Sequence, residues 1–300
     1  MAETAAAVPG PVLIGFDGTP SGEDALTLGQ LCSRVLEVPI VVATVHPAPA
    51  AIGNARVDAE WVADRRRVAE QILDRARGSI GGEPTGVEFR SVASSSAAHG
   101  LHDLAEELAA SVIVVGSRSK APEQQLFAGS TADRLLSGSV CPVAVAPAGM
   151  RERPAPDVTR VGVAYLDTRD AVAALDVASR LAARTAAELR LYTVVAAPAE
   201  VVMPVIGVDA EQAFTATARE AYQAVLDSAI AAMPAACNAT GHLLTGDVVE
   251  KLADLDTDDI DVLFCGSRGY GPARRVLLGG VSSRLVRRAR SPVVIVPRGD

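Results

Sequence analysis

Gly116 and Gly266 stand 150 residues apart, and each closes an apolar run, Val112 to Val115 in one copy and Val262 to Cys265 in the other. A polar stretch follows each glycine and leads to a second cluster of small residues. That cluster is Gly129-Ser130-Thr131 in the first copy and Gly279-Gly280-Val281-Ser282 in the second. A glycine at the carboxyl end of a strand lets backbone approach a ligand closely and tolerates positive φ. Unpaired N–H groups at the following helix start favour an anion such as phosphate, and a hydroxyl there adds a donor. Arg118 and Arg268, two positions after the first glycine, and Arg274 with Arg275, inside the second loop, can reach a phosphate or pair with carboxylates. Taken singly, each glycine has a plain structural role. Gly116 allows a tight turn, and Ser130 with Asp133 makes a capping-box-like pair that needs no ligand. Capping does not require Gly116 at a set distance upstream, so the repeated group points to a phosphate-bearing ligand.

The elements that must position these residues are themselves duplicated. Gly129 recurs as Gly279, Pro142 as Pro292 and Pro147 as Pro297, and a repeat of this length is a whole domain. Three hundred residues suffice for two domains with cores of their own. In the first half, Val12 to Phe16, Ile40 to Val45, Val87 to Ala93, Val112 to Val115 and Val143 to Ala146 read as strands. Glu23 to Leu36, Arg56 to Arg77, Leu101 to Leu108 and Thr131 to Leu136 read as helices between them. The second half repeats the order from Val161. Leu189 to Val194, a short His242 to Leu244, Val262 to Cys265 and Val293 to Val296 are its further strands, and Glu211 to Ile230, Val248 to Leu255 and Ser282 to Arg288 are helices. Strict β-α alternation implies a parallel sheet covered on both faces. The fold class expected is α/β: two tandem Rossmann-like domains, 1–148 and 157–300, each a five-stranded parallel sheet with helices on both faces. The polar, proline-containing Ala148 to Asp157 reads as the linker between them.

The pattern G-x2-G-x9-G-[S/T] after the fourth strand resembles that of the universal stress protein family. Gly266, Gly269 and Gly279 fit its three glycines; Gly116, Gly129 and Ser130 fit all but the second, where Ser119 stands. The openings Val12 to Ser21 and Val161 to Asp170, and the closings Cys141-Pro142-Val143 and Ser291-Pro292-Val293, are also similar to that family, so the resemblance covers nearly the whole chain. It implies domains like the adenine-nucleotide alpha hydrolases and a site for adenine nucleotide, ATP, which a magnesium ion can accompany. On this mapping Asp17 ends the first strand near the nucleoside, and Val45 and Val194 hold the base through their backbone. Gly116, Arg118, Gly129, Ser130 and Thr131 serve the phosphates of the first half. Gly266, Gly269, Gly279, Gly280, Val281 and Ser282 serve the second. Two departures weaken the second copy: Gly280 replaces a hydroxyl residue, and Leu166 stands where Asp17 does. ATP, AMP and cyclic AMP remain open as ligands.

Other chemistries find less support. No Ser-His-Asp set, nucleophile elbow or Walker A lysine is visible, so a regulatory ATP-binding protein is expected rather than an enzyme, with slow ATP hydrolysis as the alternative. A ligand-free interaction module with degraded sites is the third class. His99 and His102 share a helix face, and His46 ends the second strand, but none sits at metal-ligand spacing. The four cysteines also lack that spacing and suit a reducing cytosol. Aromatics at 3% and a net charge of −8 argue against nucleic-acid partners. Met1 to Gly10 has no basic n-region, no apolar run spans a membrane, and a cytoplasmic protein is expected. The basic C-terminal helix reads as a solvated face, and apolar Pro198 to Val208 as packing at an interface. The resemblance implies that the fifth strand of each half is a dimer seam. The two halves then join through theirs, and a homodimer of the tandem chain is a further expected partner.

Overall fold

The central strand-forming runs, such as Val12–Gly15 and Val112–Gly116, are apolar throughout rather than alternating, as a parallel sheet covered on both faces requires. The computed structural model describes residues 10–48, 59–80, 86–117, 131–153, 157–196, 208–234, 237–267 and 280–297. It divides into two compact units, Met1–Ala155 and Pro156–Asp300.

In the N-terminal unit, β1 (Val12–Gly15), β2 (Ile40–Pro47), β3 (Val87–Ser94), β4 (Val112–Gly116) and β5 (Val143–Ala146) alternate with helices. These are α1 (Pro20–Leu36), α2 (Ala59–Ile80), α3 (Ala97–Glu107) and the short α4 (Thr131–Leu136). Strand order is β3-β2-β1-β4-β5, all neighbours parallel. The chain runs outward from β1 through β2 to β3, then returns to β4 on the other side of β1. Right-handed crossovers in opposite directions place helices on opposite faces, and α1 packs with α2 while α3 packs with α4. Val12, Leu13, Ile14, Ile113 and Val114 are fully enclosed between the layers.

The C-terminal unit repeats this plan. Its strands are β6 (Arg160–Ala164), β7 (Glu188–Val195), β8 (Ala239–Thr245), β9 (Val262–Gly266) and β10 (Val293–Val296). Its helices are α5 (Arg169–Thr185), α6 (Val208–Ala231), α7 (Val248–Ala253) and α8 (Gly280–Arg288). The order is β8-β7-β6-β9-β10, again parallel.

The local signals recur with the fold. Thr19 and Thr168 cap α1 and α5 by accepting a hydrogen bond from the amide three residues on. Both helices end at a residue in the left-handed region, Glu37 at φ 56° and Ala186 at φ 54°, whose N–H closes back on a carbonyl of the last turn.

Two expectations need correction. The short strand expected at His242 to Leu244 is β8, seven residues long, because its outer residues gain ladder bonds to β7 that no apolar signal announces. The linker expected at Ala148 to Asp157 begins as structure. Met150–Glu152 forms a single 3-10 turn, Met150 is buried, and the turn is bound to α1 through Asp24.

Candidate functional site

The return of the chain from β3 to β4 opens a crevice at the carboxyl ends of β1, β2 and β4, where ligands bind in open parallel sheets. In the N-terminal unit that crevice is a cavity of about 170 Å³. Its lining includes Asp17 from the end of β1, Thr44 and Val45 from β2, Gly116 from β4 and Thr131 from the start of α4. Four residues expected at the site, Asp17, Val45, Gly116 and Thr131, are thus brought to one cavity. The expected Arg118, Gly129 and Ser130 lie outside the described residues.

Each lining group has a local reason for its place. The Asp17 carboxylate accepts from the Thr19 amide at 3.0 Å and the Thr19 hydroxyl at 2.6 Å, both on Oδ1. Thr19 in turn caps α1 through the Gly22 amide at 3.3 Å. The exposed Asp17 is therefore held at the mouth by the same turn that starts the helix. Thr44 donates its hydroxyl to the Phe16 carbonyl at 2.8 Å, pinning the end of β1 to β2. Ser21, in the first turn of α1, donates to the Ser117 carbonyl at 2.8 Å, so the helix start grips the residue that follows β4.

Gly116 has a structural necessity of its own. A Cβ there would lie 1.9 Å from the Ser21 carbonyl oxygen and 2.3 Å from its hydroxyl. Its counterpart Gly266 would meet the Asp170 carbonyl oxygen at 2.6 Å. The repetition of this glycine, which in the sequence points to a ligand, is thus accounted for by the close approach of a helix start to a strand end.

In the C-terminal unit the described residues leave little room at the matching place. Gly266, Val281 and Ser282 come together around a cavity of about 10 Å³ that Leu166, Leu252 and Leu285 also line. That is about the room of one water molecule. The Ser282 hydroxyl is turned inward, donating to the Gly266 carbonyl at 3.3 Å. Val194 is buried and outside this lining, and Gly280 begins α8 with open space where a side chain would be. Gly269 and Gly279 lie outside the described residues, as do Arg268, Arg274, Arg275 and residues 198–207 of the apolar connection.

Several lining residues escape sequence reasoning. Ile72 and Leu101 reach the cavity from α2 and α3 and look like ordinary core positions in the sequence. Thr44 did carry a signal, since Thr193 repeats it at the same offset as Val194 repeats Val45. Thr193 donates to the Tyr165 carbonyl at 2.7 Å, the same bond in the second unit.

His46 is not part of the cavity. It lines a separate open groove along β3 with Arg90 and Glu107, its Nδ1 3.3 Å from the Pro47 carbonyl. Among the described residues no group of three or more His, Cys, Asp or Glu side chains could hold a metal ion. Burial pushes the Cys141 thiol up to about 11 and the Cys265 thiol up to about 12, as expected of cysteines that serve as small core residues. No helix among the described residues is long and apolar enough to cross a membrane.

The sequence model of the universal stress protein family matches residues 10–147 and again 158–297. The chain belongs to the universal stress protein family. It carries two copies of the family's domain, and membership places it in stress response. A universal stress protein of Mycobacterium tuberculosis is 29% identical over 303 residues, covering 95% of this chain and 99% of that one. Its Mycobacterium bovis counterpart matches to the same extent. The crystal structure of a universal stress protein from Archaeoglobus fulgidus superposes with a TM-score of 0.68 over 97% of each chain at 21% identity, which shows the shared fold. The chain carries two universal stress domains in tandem, and the described residues at the matching crevices enclose about 170 Å³ in the first and about 10 Å³ in the second.

Proposed function

We propose that the N-terminal unit binds ATP and that occupancy alters the shape or partner choice of a stress-response regulator that does not turn the nucleotide over. The observation that carries this is the gathering of Asp17, Val45, Gly116 and Thr131, distant in sequence, around one cavity at the strand-order reversal. At about 170 Å³ the cavity falls below the ~300–1,000 Å³ of a site for a whole drug-sized ligand, so it takes the nucleoside end. The phosphates are assigned to the segment from Gly116 to Thr131. Asp17, whose Oδ1 is taken by Thr19, offers Oδ2 to a ribose hydroxyl, and the Val45 main chain is assigned to the base.

Titration of the purified chain with labelled ATP tests this, with AMP and cyclic AMP as competitors and Gly129→Glu as the control. Saturable micromolar binding that the substitution abolishes supports the proposal. No saturable binding, or binding indifferent to Gly129→Glu, refutes it. Phosphate release above that of the Gly129→Glu chain would make the protein an ATPase instead.

A further inference from the structure

We infer that Asp170 and Leu166 shut the C-terminal crevice to nucleotide, so that the chain carries a single nucleotide site. The inference rests on ATP binding by the N-terminal unit and assigns which residues withhold it from the other.

The comparison is between matched positions. Ser21 and Asp170 are each the second residue of a 17-residue helix capped by a threonine. Each lies against the glycine that ends the fourth strand of its unit: the missing Cβ of Gly116 would strike the Ser21 carbonyl, and that of Gly266 the Asp170 carbonyl and, at 2.8 Å, its Cβ. Ser21 is at the wall of the open cavity and uses its hydroxyl proton to bind the Ser117 carbonyl, anchoring the start of the segment that leads to Gly129. A carboxylate only accepts hydrogen bonds, so Asp170 cannot make that anchor. Its side chain is enclosed, with the residue 8% exposed, and its Oδ1 is buried without a hydrogen-bond partner. Asp170 occupies the position of Ser21, which walls the open cavity, and its Cβ lies beside the strand-end glycine; a phosphate brought to the same place would approach a like charge, and like charges repel.

Leu166 lines the crevice itself. It holds the position of Asp17, and in place of a carboxylate at the mouth it supplies a branched apolar side chain that helps reduce the crevice from about 170 to about 10 Å³. One residue thus removes the room for the nucleoside and the other the tolerance for its phosphates. Asp17, the acid of the open site, stands at the nucleoside end and does not oppose the phosphates.

The experiment is equilibrium binding of labelled ATP to the full chain, with stoichiometry as the readout, for the wild type, Ser21→Asp and the double variant Leu166→Asp/Asp170→Ser. The double variant installs the residues of the open unit, so its foldability has a precedent within the chain. The expected results are one nucleotide per wild-type chain, a loss of affinity of about tenfold or more in Ser21→Asp, and a second equivalent bound by the double variant. Two equivalents on the wild type overturn this inference and leave ATP binding by the N-terminal unit standing. Unchanged affinity in Ser21→Asp, or a double variant still limited to one equivalent, overturns the roles given to these two residues. No binding by the wild type overturns the N-terminal site and this inference together. Circular dichroism and a cooperative melt confirm that each variant is folded before its result counts.

Discussion

Thr44 and Thr193 are buried hydroxyls that each bind the carbonyl just past the end of the neighbouring first strand. Replacing either by valine keeps the shape and removes the donor, leaving a buried carbonyl short of a partner at a cost of about 1–3 kcal/mol. Urea denaturation of Thr44→Val and Thr193→Val should show this loss in both, and only Thr44→Val should also weaken ATP binding, because Thr44 alone borders an open cavity. Gly116 and Gly266 make a harder demand. A methyl group at either would overlap backbone of the facing helix, and backbone cannot swing aside as a long side chain can. Gly116→Ala and Gly266→Ala should each cost about 1–3 kcal/mol through overpacking. If Gly266→Ala proves neutral by chemical denaturation, the close approach of α5 to β9 is looser than described.

Among the elements, α1 does more than cover the sheet. Asp24, 2% exposed within it, accepts from the amides of Gly149 and Arg151 at 2.9 Å each and from the Arg151 guanidinium at 3.2 Å. Arg151 also donates to the Pro20 carbonyl at 3.3 Å. The first turn of α1 therefore binds Ser117 on one side and the turn at residues 149–151 on the other. Asp24→Ala strands two backbone amides, whereas Arg151→Ala leaves those two bonds in place and removes a partly exposed guanidinium. The first should destabilise by about 2 kcal/mol or more and the second by about 1 kcal/mol or less, an order that thermal melts of the two variants can check.

The β7–β8 pair contributes a pH dependence of its own. His242 stacks on Tyr192 with ring centroids 4.9 Å apart, and its Nε2 lies 3.0 Å from the Thr240 hydroxyl. Burial first, and the charge of Arg190 second, hold its pKa below the ordinary value, against the opposing pull of Glu188 and Asp259. The unfolded chain thus binds this proton more readily than the folded one. The contribution is complete above pH of about 6.5 and falls away as pH drops from there through the lowered folded value. Glu188 adds a second loss at lower pH, since its hydrogen bond from Arg190 holds its carboxyl below the usual carboxylate range. His242→Gln should flatten the stability profile in the upper window only, as read by urea midpoints measured from neutral pH downward.

At the scale of the whole molecule, duplication and divergence meet. A ligand that binds only the folded N-terminal unit stabilises that unit by mass action, about 2.7 kcal/mol at a hundredfold excess over its dissociation constant. Hydrogen exchange with saturating ATP should therefore slow around Thr44, Val45, Gly116 and Ser117 and stay unchanged around Thr193, Val194, Gly266 and Ser267. Equal protection in both units would contradict the single site.

The repeat, the alternation of strand and helix, and the parallel sheet were all legible in the residues. Apolar runs of strand length such as Val112 to Val115, separated by helical periods and glycine turns, admit few other arrangements, and those signals are local. The docking of Met150 onto α1 was not legible, because Asp24 and Arg151 are far apart along the chain and a buried carboxylate looks like a solvated one in sequence. The outer half of β8 was hidden for a similar reason, since its ladder bonds to β7 are main-chain groups without a compositional mark.

The sequence alone determined that two universal stress domains exist, because pattern and spacing are carried by neighbouring residues. The departures at Leu166 and Gly280 marked the second copy as the weaker one, and the tertiary structure decided how much room each crevice keeps. That outcome depends on what Ser21, Asp170 and Leu166 touch after the sheet closes, and contact between a helix start and a strand end nearly a hundred residues downstream has no local signature.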